Sequence, residues 1–444
     1  MGLPRHQRAH RRARSPDDRR DRRPDRRDAA PVPTRRPGQP GPGRGRRPGR
    51  GVPRPGGPHL APAGRRGAGG RGTHRGRPVK VLYLLRYYPT LTETFVYREI
   101  AALAGLGVEV AIAALGRRRD GRLQTERPAV PAWWIPRRPG LWPRAPRTAG
   151  ERWLVAHRGP RAAARLARLR RHAAGFDRVH VHFAGGAAEY ARALQLDTDL
   201  PYSVTVHAVD LFKPRPALPE VLAQADRVVT VADHHRRLLA ERGVTAAVVR
   251  CGPELSTWAA LPPPPGGPLR ALAVGRAVPK KGLDLLVRAW RHLDRPGARL
   301  TIISDLPDPG RPDIRCLGLR PPSEVAAAMA EANCVVLPCR RAPDGDMDGI
   351  PVALMEGLAA GRAVASTPVS GIPELVDDRV GWLAPPDDLD AWIALLRTIH
   401  DDPAERARRG ARGPARLQER GFTATAQASG LLRLWQGAPP ATQR

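Results

Sequence analysis

The chain has 444 residues, with 75 Lys and Arg against 42 Asp and Glu, a net charge of +33 and 41% hydrophobic residues. That length admits two to three domains, and the lack of any run of about 18 apolar residues excludes a membrane-spanning helix. The four cysteines, Cys251, Cys316, Cys334 and Cys339, form no C-x2-C pair, which argues against a zinc site or a disulfide framework and for a reduced, cytoplasmic compartment.

Residues 1–78 stand apart. They hold 23 Arg, no Lys and 5 acids, so +18 of the charge lies there and +15 in residues 79–444. Large apolar residues are nearly missing, so the segment is expected to stay disordered. It has no apolar signal-peptide core. Lys occurs only at 80, 213, 280 and 281, an Arg bias that fits a GC-rich genome, and the first Met after Met1 is Met329. The tail is therefore expected to be an artefact of start assignment, with the true start near Val52 or Val79. A tail that binds nucleic acid or an anionic surface is the sharper alternative.

From Val79 the pattern alternates. Strands are predicted over 79–85, 108–115, 176–183, 202–208, 227–232 and 246–250, and helices over 93–107, 187–196 and 233–243. Residues 116–175 read poorly, apart from a basic amphipathic helix in PRAAARLARLRRHAA. It is read as a solvated face, with a foot on an anionic membrane as the alternative. Residues 252–268, with LPPPPGG, read as a linker. A second series follows, with strands over 269–275, 299–304, 314–319, 333–338, 363–367 and 380–384, and helices over 282–293, 323–332, from Pro351 to Gly361 and from Asp387 to His400. Apolar strands between helices imply parallel βαβ units. The expectation is thus an α/β chain of two Rossmann-like, doubly wound domains, 79–251 and 269–420, facing a cleft at their strand C-terminal ends. Residues 421–444 would add a last helix.

The segment DGDMDGIPVALMEGLAAG, 344–361, carries most of the chemistry. Pro351 suits a first helical turn and Gly361 a helix end. A helix start attracts phosphate, so the backbone of Gly349, Ile350, Pro351 and Val352 is a candidate anion cradle. Glu356, further down the helix, can reach a ribose. VGRAVPKKGLDLL, 274–286, places Gly275 and Arg276 just past a strand and Lys281 at a helix start, where two cations can clamp a diphosphate. His207 ends a strand and should face the cleft. His182, before the Gly185-Gly186 turn, is read as lining the acceptor side, and that turn as a cradle for an acceptor phosphate. Glu93 begins the first helix, in a Thr92-Glu93 pair that serves equally as a cap. His180 and His182 share one strand face, but with no matching acid in sequence an H-x-H metal pair is not expected. Asp344-Gly345-Asp346 and Asp346-Met347-Asp348 fit a metal-binding D-x-D pattern and are read instead as a solvated acidic turn.

Asp348 and Glu356 resemble the E-x7-E signature of the retaining glycosyltransferases of family 4, with Asp in place of the first Glu. YYPTLTETFVYREI (87–100), HVHFAGGAAEYA (180–191) and VTVHAVDLF (204–212) resemble the exopolysaccharide, colanic-acid-type subgroup. The resemblance covers most of 79–440. It implies a GT-B fold whose C-terminal helix crosses back to the first domain, and a metal-independent, cofactor-free enzyme with a nucleotide-diphosphate sugar as substrate. It gives Arg276 and Lys281 the diphosphate, Glu356 the ribose hydroxyls, and Asp348 and His207 the donor sugar. The acceptor it implies is lipid-linked or polysaccharide, reached in the cytoplasm or at the inner face of the plasma membrane, with no nucleic-acid partner. Departures from the pattern are Ala232, where Ser is usual, and Asp348, about an ångström shorter in reach than Glu. A catalytically weak pseudo-transferase and a related nucleotide-sugar epimerase are the alternatives.

Overall fold

The computed structural model describes residues 77–135, 145–214 and 216–437. The expected disorder and start-site artefact in residues 1–78 fall almost wholly outside the described residues. The first domain is a seven-stranded, all-parallel sheet of β1 (Lys80–Leu85), β2 (Glu109–Ala114), β3 (Ala132–Trp134), β4 (Arg178–His182), β5 (Tyr202–Val206), β6 (Arg227–Thr230) and β7 (Ala247–Val248). Its strand order is β3-β2-β1-β4-β5-β6-β7. The second is a six-stranded parallel sheet of β8 (Arg270–Val274), β9 (Arg299–Ile303), β10 (Ile314–Cys316), β11 (Cys334–Val336), β12 (Ala363–Ser366) and β13 (Gly381–Leu383), ordered β10-β9-β8-β11-β12-β13. β4, β5, β11 and β12 are buried along their whole length, as strands covered by helices on both faces must be. Strand order reverses between β1 and β4 and between β8 and β11. Doubly wound sheets open their ligand crevice at such switch points.

Two elements of the 116–175 stretch, β3 and helix Ala149–Arg158, escaped the sequence pattern, while the basic helix was expected. β3 is too short to show a period. Helix Ala149–Arg158 carries a readable start: Thr148 accepts the Glu151 backbone N–H at 3.2 Å, and Glu151 accepts that of Arg147 at 2.7 Å. The basic helix, Ala163–Ala173, turns Leu166 and Leu169 into the core, so its apolar face is not free for a membrane. The 252–268 linker is not plain loop: it holds helix Leu255–Ala259, whose Trp258 is buried. The signature helix runs Val352–Ala359, with Pro351 just ahead of it at the cap. Ala424–Trp435 does cross back onto the first domain. It packs on helix Thr94–Gly105, and Trp435 Nε1 donates to Ser203 Oγ at 3.0 Å. No described helix is long and apolar enough to cross a membrane.

Candidate active site

The two switch points face each other across a cleft of about 630 Å³. The second domain lines it with Gly275, Arg276, Lys280, Lys281, Asp346, Asp348, the 349–353 segment and Glu356, and the first with Glu93, Phe95, Arg98, Arg118, Phe183 and His207.

Lys281 ends a 3-10 turn, Pro279–Lys281, that follows β8. The next residue, Gly282, has φ +64°, and a Cβ there would meet the Pro338 carbonyl at 1.9 Å, so only glycine lets helix Leu283–Arg291 start this close to β11. Lys281 Nζ lies 2.7 Å from Asp348 Oδ2, and Lys280 Nζ 3.5 Å from Asp348 Oδ1. Burial opposes charge on both partners. The Lys281 and Lys280 ammoniums nevertheless hold the Asp348 carboxyl below its usual range, and Asp348 holds Lys281 above its own. Lys280, which sequence reasoning passed over, also reaches Asp346 at 3.1 Å, and Lys213 of the first domain reaches Asp344 at 2.6 Å. The D-x-D acids are therefore paired with lysines rather than lying as a freely solvated turn. Arg276 is exposed at the cleft.

Glu356 has a partner that sequence did not reveal. Arg98 Nη1 of helix Thr94–Gly105 donates to Glu356 Oε1 at 2.8 Å, while its Nε and Nη2 hold Glu126 at 3.0 Å each. This three-member ion pair joins the domains at the foot of the cleft. Burial pushes the Glu356 carboxyl up despite Arg98. Gly349 sits under the first domain: a Cβ on it would come 2.8 Å from His235 Cε1. Ile350, Pro351 and Val352 follow along the cleft wall into the signature helix, whose first N–H groups lack intrahelical partners as at any helix start.

Two sequence placements need correction. His182 does not line the cleft. It lies in the core behind His207, with its Nδ1 3.0 Å from His207 Nε2 and its Nε2 2.8 Å from Glu99 Oε1. Gly185 is also outside the cleft lining. Arg158, paired with Glu189, covers the turn at Gly186, so the turn is not an open phosphate cradle. Glu93 does line the cleft and caps helix Thr94–Gly105 with no side-chain bond; burial raises its carboxyl. The acid absent from the H-x-H reading is Glu99: ligand-type atoms of Glu99, His180 and His182 lie within 4.8 Å of one another. Protein partners already occupy them. His180 Nδ1 meets Ser203 Oγ at 2.8 Å and its Nε2 meets Thr205 Oγ1 at 3.1 Å, while Glu99 receives Tyr83, His182 and Gln427.

Residues 92–256 match the model of Glycosyltransferase Family 4, and residues 268–402 that of Glycosyl transferases group 1. A D-inositol 3-phosphate glycosyltransferase of Kineococcus radiotolerans is 30% identical over 57% of this chain and 70% of its own length. The chain belongs to the group 1 glycosyltransferases. A glycosyltransferase of Escherichia coli (strain K12) named for colanic acid biosynthesis is 28% identical over 72% of this chain and 90% of its own length. An amylovoran biosynthesis glycosyltransferase of Erwinia amylovora reaches 40% over 31% of this chain, a match spanning 37% of that protein. Among solved structures, an Anabaena protein in complex with UDP and glucose superposes with a TM-score of 0.63 at 14% identity, over 80% of this chain and 98% of its own. That likeness carries the GT-B fold: two Rossmann-like domains across a cleft. The lysine–carboxylate cluster described above lines the cleft between these two domains.

Proposed function

We propose that this glycosyltransferase moves a sugar, with retention, from a nucleotide-diphosphate donor to a lipid-linked or polysaccharide acceptor in exopolysaccharide or cell-envelope glycan synthesis. One observation carries the reading: Arg276, Lys281, Asp348, the start of the signature helix and Glu356 converge on one wall of the cleft, opposite His207. The colanic-acid and amylovoran names of its relatives support the exopolysaccharide assignment. The UDP bound by the Anabaena protein supports a nucleotide donor.

In this reading the diphosphate lies against Arg276, Lys281 and the N–H groups at the head of the signature helix, which stabilise charge as it develops on the departing phosphate. Glu356 takes the ribose hydroxyls and Asp348 the donor sugar. His207 meets the donor sugar from the opposite wall, and Glu93 stands on that wall too, where the acceptor hydroxyl approaches the face from which the diphosphate leaves. Closure of the two domains excludes competing water. No metal or other cofactor is invoked, because lysine and arginine supply the positive charge. A peripheral site at the inner face of the plasma membrane would rest on exposed arginines such as Arg161 and Arg171, since Leu166 and Leu169 are spent on the core.

A panel of nucleotide sugars, screened by thermal shift and then by hydrolysis without acceptor, tests the reading. Turnover that disappears in Glu356→Ala and Lys281→Ala supports it, and NMR of the first-formed anomer reports retention. Donor binding with no turnover under any acceptor would overturn it.

A further inference from the structure

The second wall of the cleft is supported by a buried hydrogen-bond chain that the transfer reading leaves unused. Its centre is Glu99, 1% exposed. It lies on the buried stripe of helix Thr94–Gly105 with Phe95, Val96, Ile100 and Leu103. Three donors converge on its carboxyl group: the Tyr83 hydroxyl from β1, Gln427 Nε2 from the crossing-back helix, and His182 Nε2 from β4 at 2.8 Å. The Tyr83 hydroxyl and Gln427 Nε2 both donate to Glu99, and a carboxylate can only accept, so the His182 nitrogen facing it, Nε2, is the one that carries the proton. The neutral ring then has a lone pair on Nδ1. The His207 Nε2 that lies 3.0 Å from that lone pair must be the N–H partner. The direction of every bond is thus set from Glu99 outward: Glu99 orients His182, and His182 orients His207.

We propose that Glu99 is a positioning residue for sugar transfer: through His182 it fixes the tautomer and plane of His207, with the proton on Nε2 and Nδ1 turned to the Asp210 backbone N–H of the capping box. This rests on the reading that His207 meets the donor sugar. Packing agrees with it. The rings of Phe183 and Phe95 lie 4.4 and 5.1 Å from that of His207, and the Asp210 carboxylate accepts the His207 backbone N–H at 2.9 Å, so backbone and ring are both held. Burial, with His182 and His235 beside it, keeps His207 well below its ordinary pKa and so neutral. A ring held this way presents a fixed wall to the sugar rather than a proton donor. Gln427 extends the chain to the C-terminal helix, so the same contact that docks that helix also bears on the active-site histidine.

The test uses the full-length protein with ¹⁵N-labelled histidine. Long-range ¹H–¹⁵N spectra report which ring nitrogen carries the proton, and His207→Gln and His182→Gln spectra assign the two signals. The wild type is expected to show His182 and His207 each as a single Nε2–H tautomer; His207 protonated on Nδ1 would overturn the proposal without any variant. In Glu99→Leu, His207 is expected to become a tautomer mixture, while kcat falls about 10- to 100-fold and the donor KM stays within about threefold. Unchanged kcat in a folded Glu99→Leu protein would also overturn it. If instead the tautomers are as described and no nucleotide sugar is turned over, the transferase reading fails and the hydrogen-bond chain stands. Stoichiometric zinc bound by Glu99, His180 and His182 in the purified protein would replace the hydrogen-bond chain and refute it.

Discussion

Arg98→Met isolates the ion pair that joins the domains. Arg98 and Glu356 side chains are each 9% exposed, and Glu126 is 30% exposed. Removing one partner of a buried pair typically costs about 3–5 kcal/mol, because the other charge is left uncompensated. Here Glu126 is already partly hydrated, and Glu356 stands in a cleft wall that water reaches when the domains part. The expected loss is therefore about 2–3 kcal/mol, below that range. At about 2 °C per kcal/mol for a unit of this size, the melting temperature falls by about 4–6 °C. The pH dependence has a definite sign. Burial already raises the Glu356 carboxyl, Arg98 is the largest opposing influence, and its loss raises the carboxyl further. A carboxyl whose folded pKa lies above its unfolded value favours the folded state where it is protonated and disfavours it as pH rises through the folded pKa. The Arg98→Met deficit should thus be largest at pH 8 and shrink toward pH 5. Melting curves of wild type, Arg98→Met, Glu356→Gln and the double variant, at both pH values, measure the deficit and the pairwise coupling. A deficit under about 1 °C at pH 8, or the same deficit at both pH values, would refute the reasoning.

Other consequences follow from the same site. Lys281→Met removes the ammonium nearest both Asp348 and the diphosphate position, and kcat/KM for donor hydrolysis should fall about 10²- to 10³-fold. Asp348→Asn gives up a carboxylate held below its ordinary range. Its stabilising contribution is present above the unfolded pKa and fades as pH falls through the folded one, so the loss of melting temperature seen at pH 7 should shrink as the pH is taken below the ordinary carboxylate value of 3.8. Burial pushes the Cys251, Cys334 and Cys339 thiols up to about 12, while half-buried Cys316 is raised less. Iodoacetamide at pH 8 should therefore modify Cys316 first, as peptide mass spectrometry would show.

The two-sheet fold was legible because parallel strands covered on both faces are near-continuous apolar runs, and VKVLYLL or NCVVLP admits little else. Some of the elements that escaped are too short to express a period, such as β3 and helix Leu255–Ala259, though the ten-residue helix Ala149–Arg158 escaped as well. The second-domain site was legible because its residues cluster in two motifs on one wall. The first-domain site was less so. A period of two puts His180 and His182 on one face of β4, but it does not say whether that face meets the cleft or the helix above it. Glu99 was readable in retrospect: a lone acid at positions 95, 96, 99, 100 and 103 of an apolar stripe requires buried donors, and two histidines on one strand supply them. Arg98, one residue earlier and about 100° around the helix, turns the other way, toward the cleft. Its pairing with Glu356 spans 258 residues, and no local pattern predicts it.

Both signature acids are thus held by protein cations, Asp348 by Lys281 within its own domain and Glu356 by Arg98 across the cleft. A donor that uses these groups must compete for them. In the proposed reading a diphosphate would draw Lys281 away from Asp348 and free that carboxylate for the sugar hydroxyls. A ribose on Glu356 would compete with Arg98 and loosen one of the ties between the domains. Donor binding in this reading would exchange two internal ion pairs for two ligand contacts. Arg98→Met removes one side of that exchange, so the same variant that lowers the melting temperature should bind a nucleoside diphosphate more tightly than wild type. Isothermal titration with UDP and GDP measures that sign, and weaker binding of both by Arg98→Met would show that Arg98 supports the nucleotide instead of competing with it.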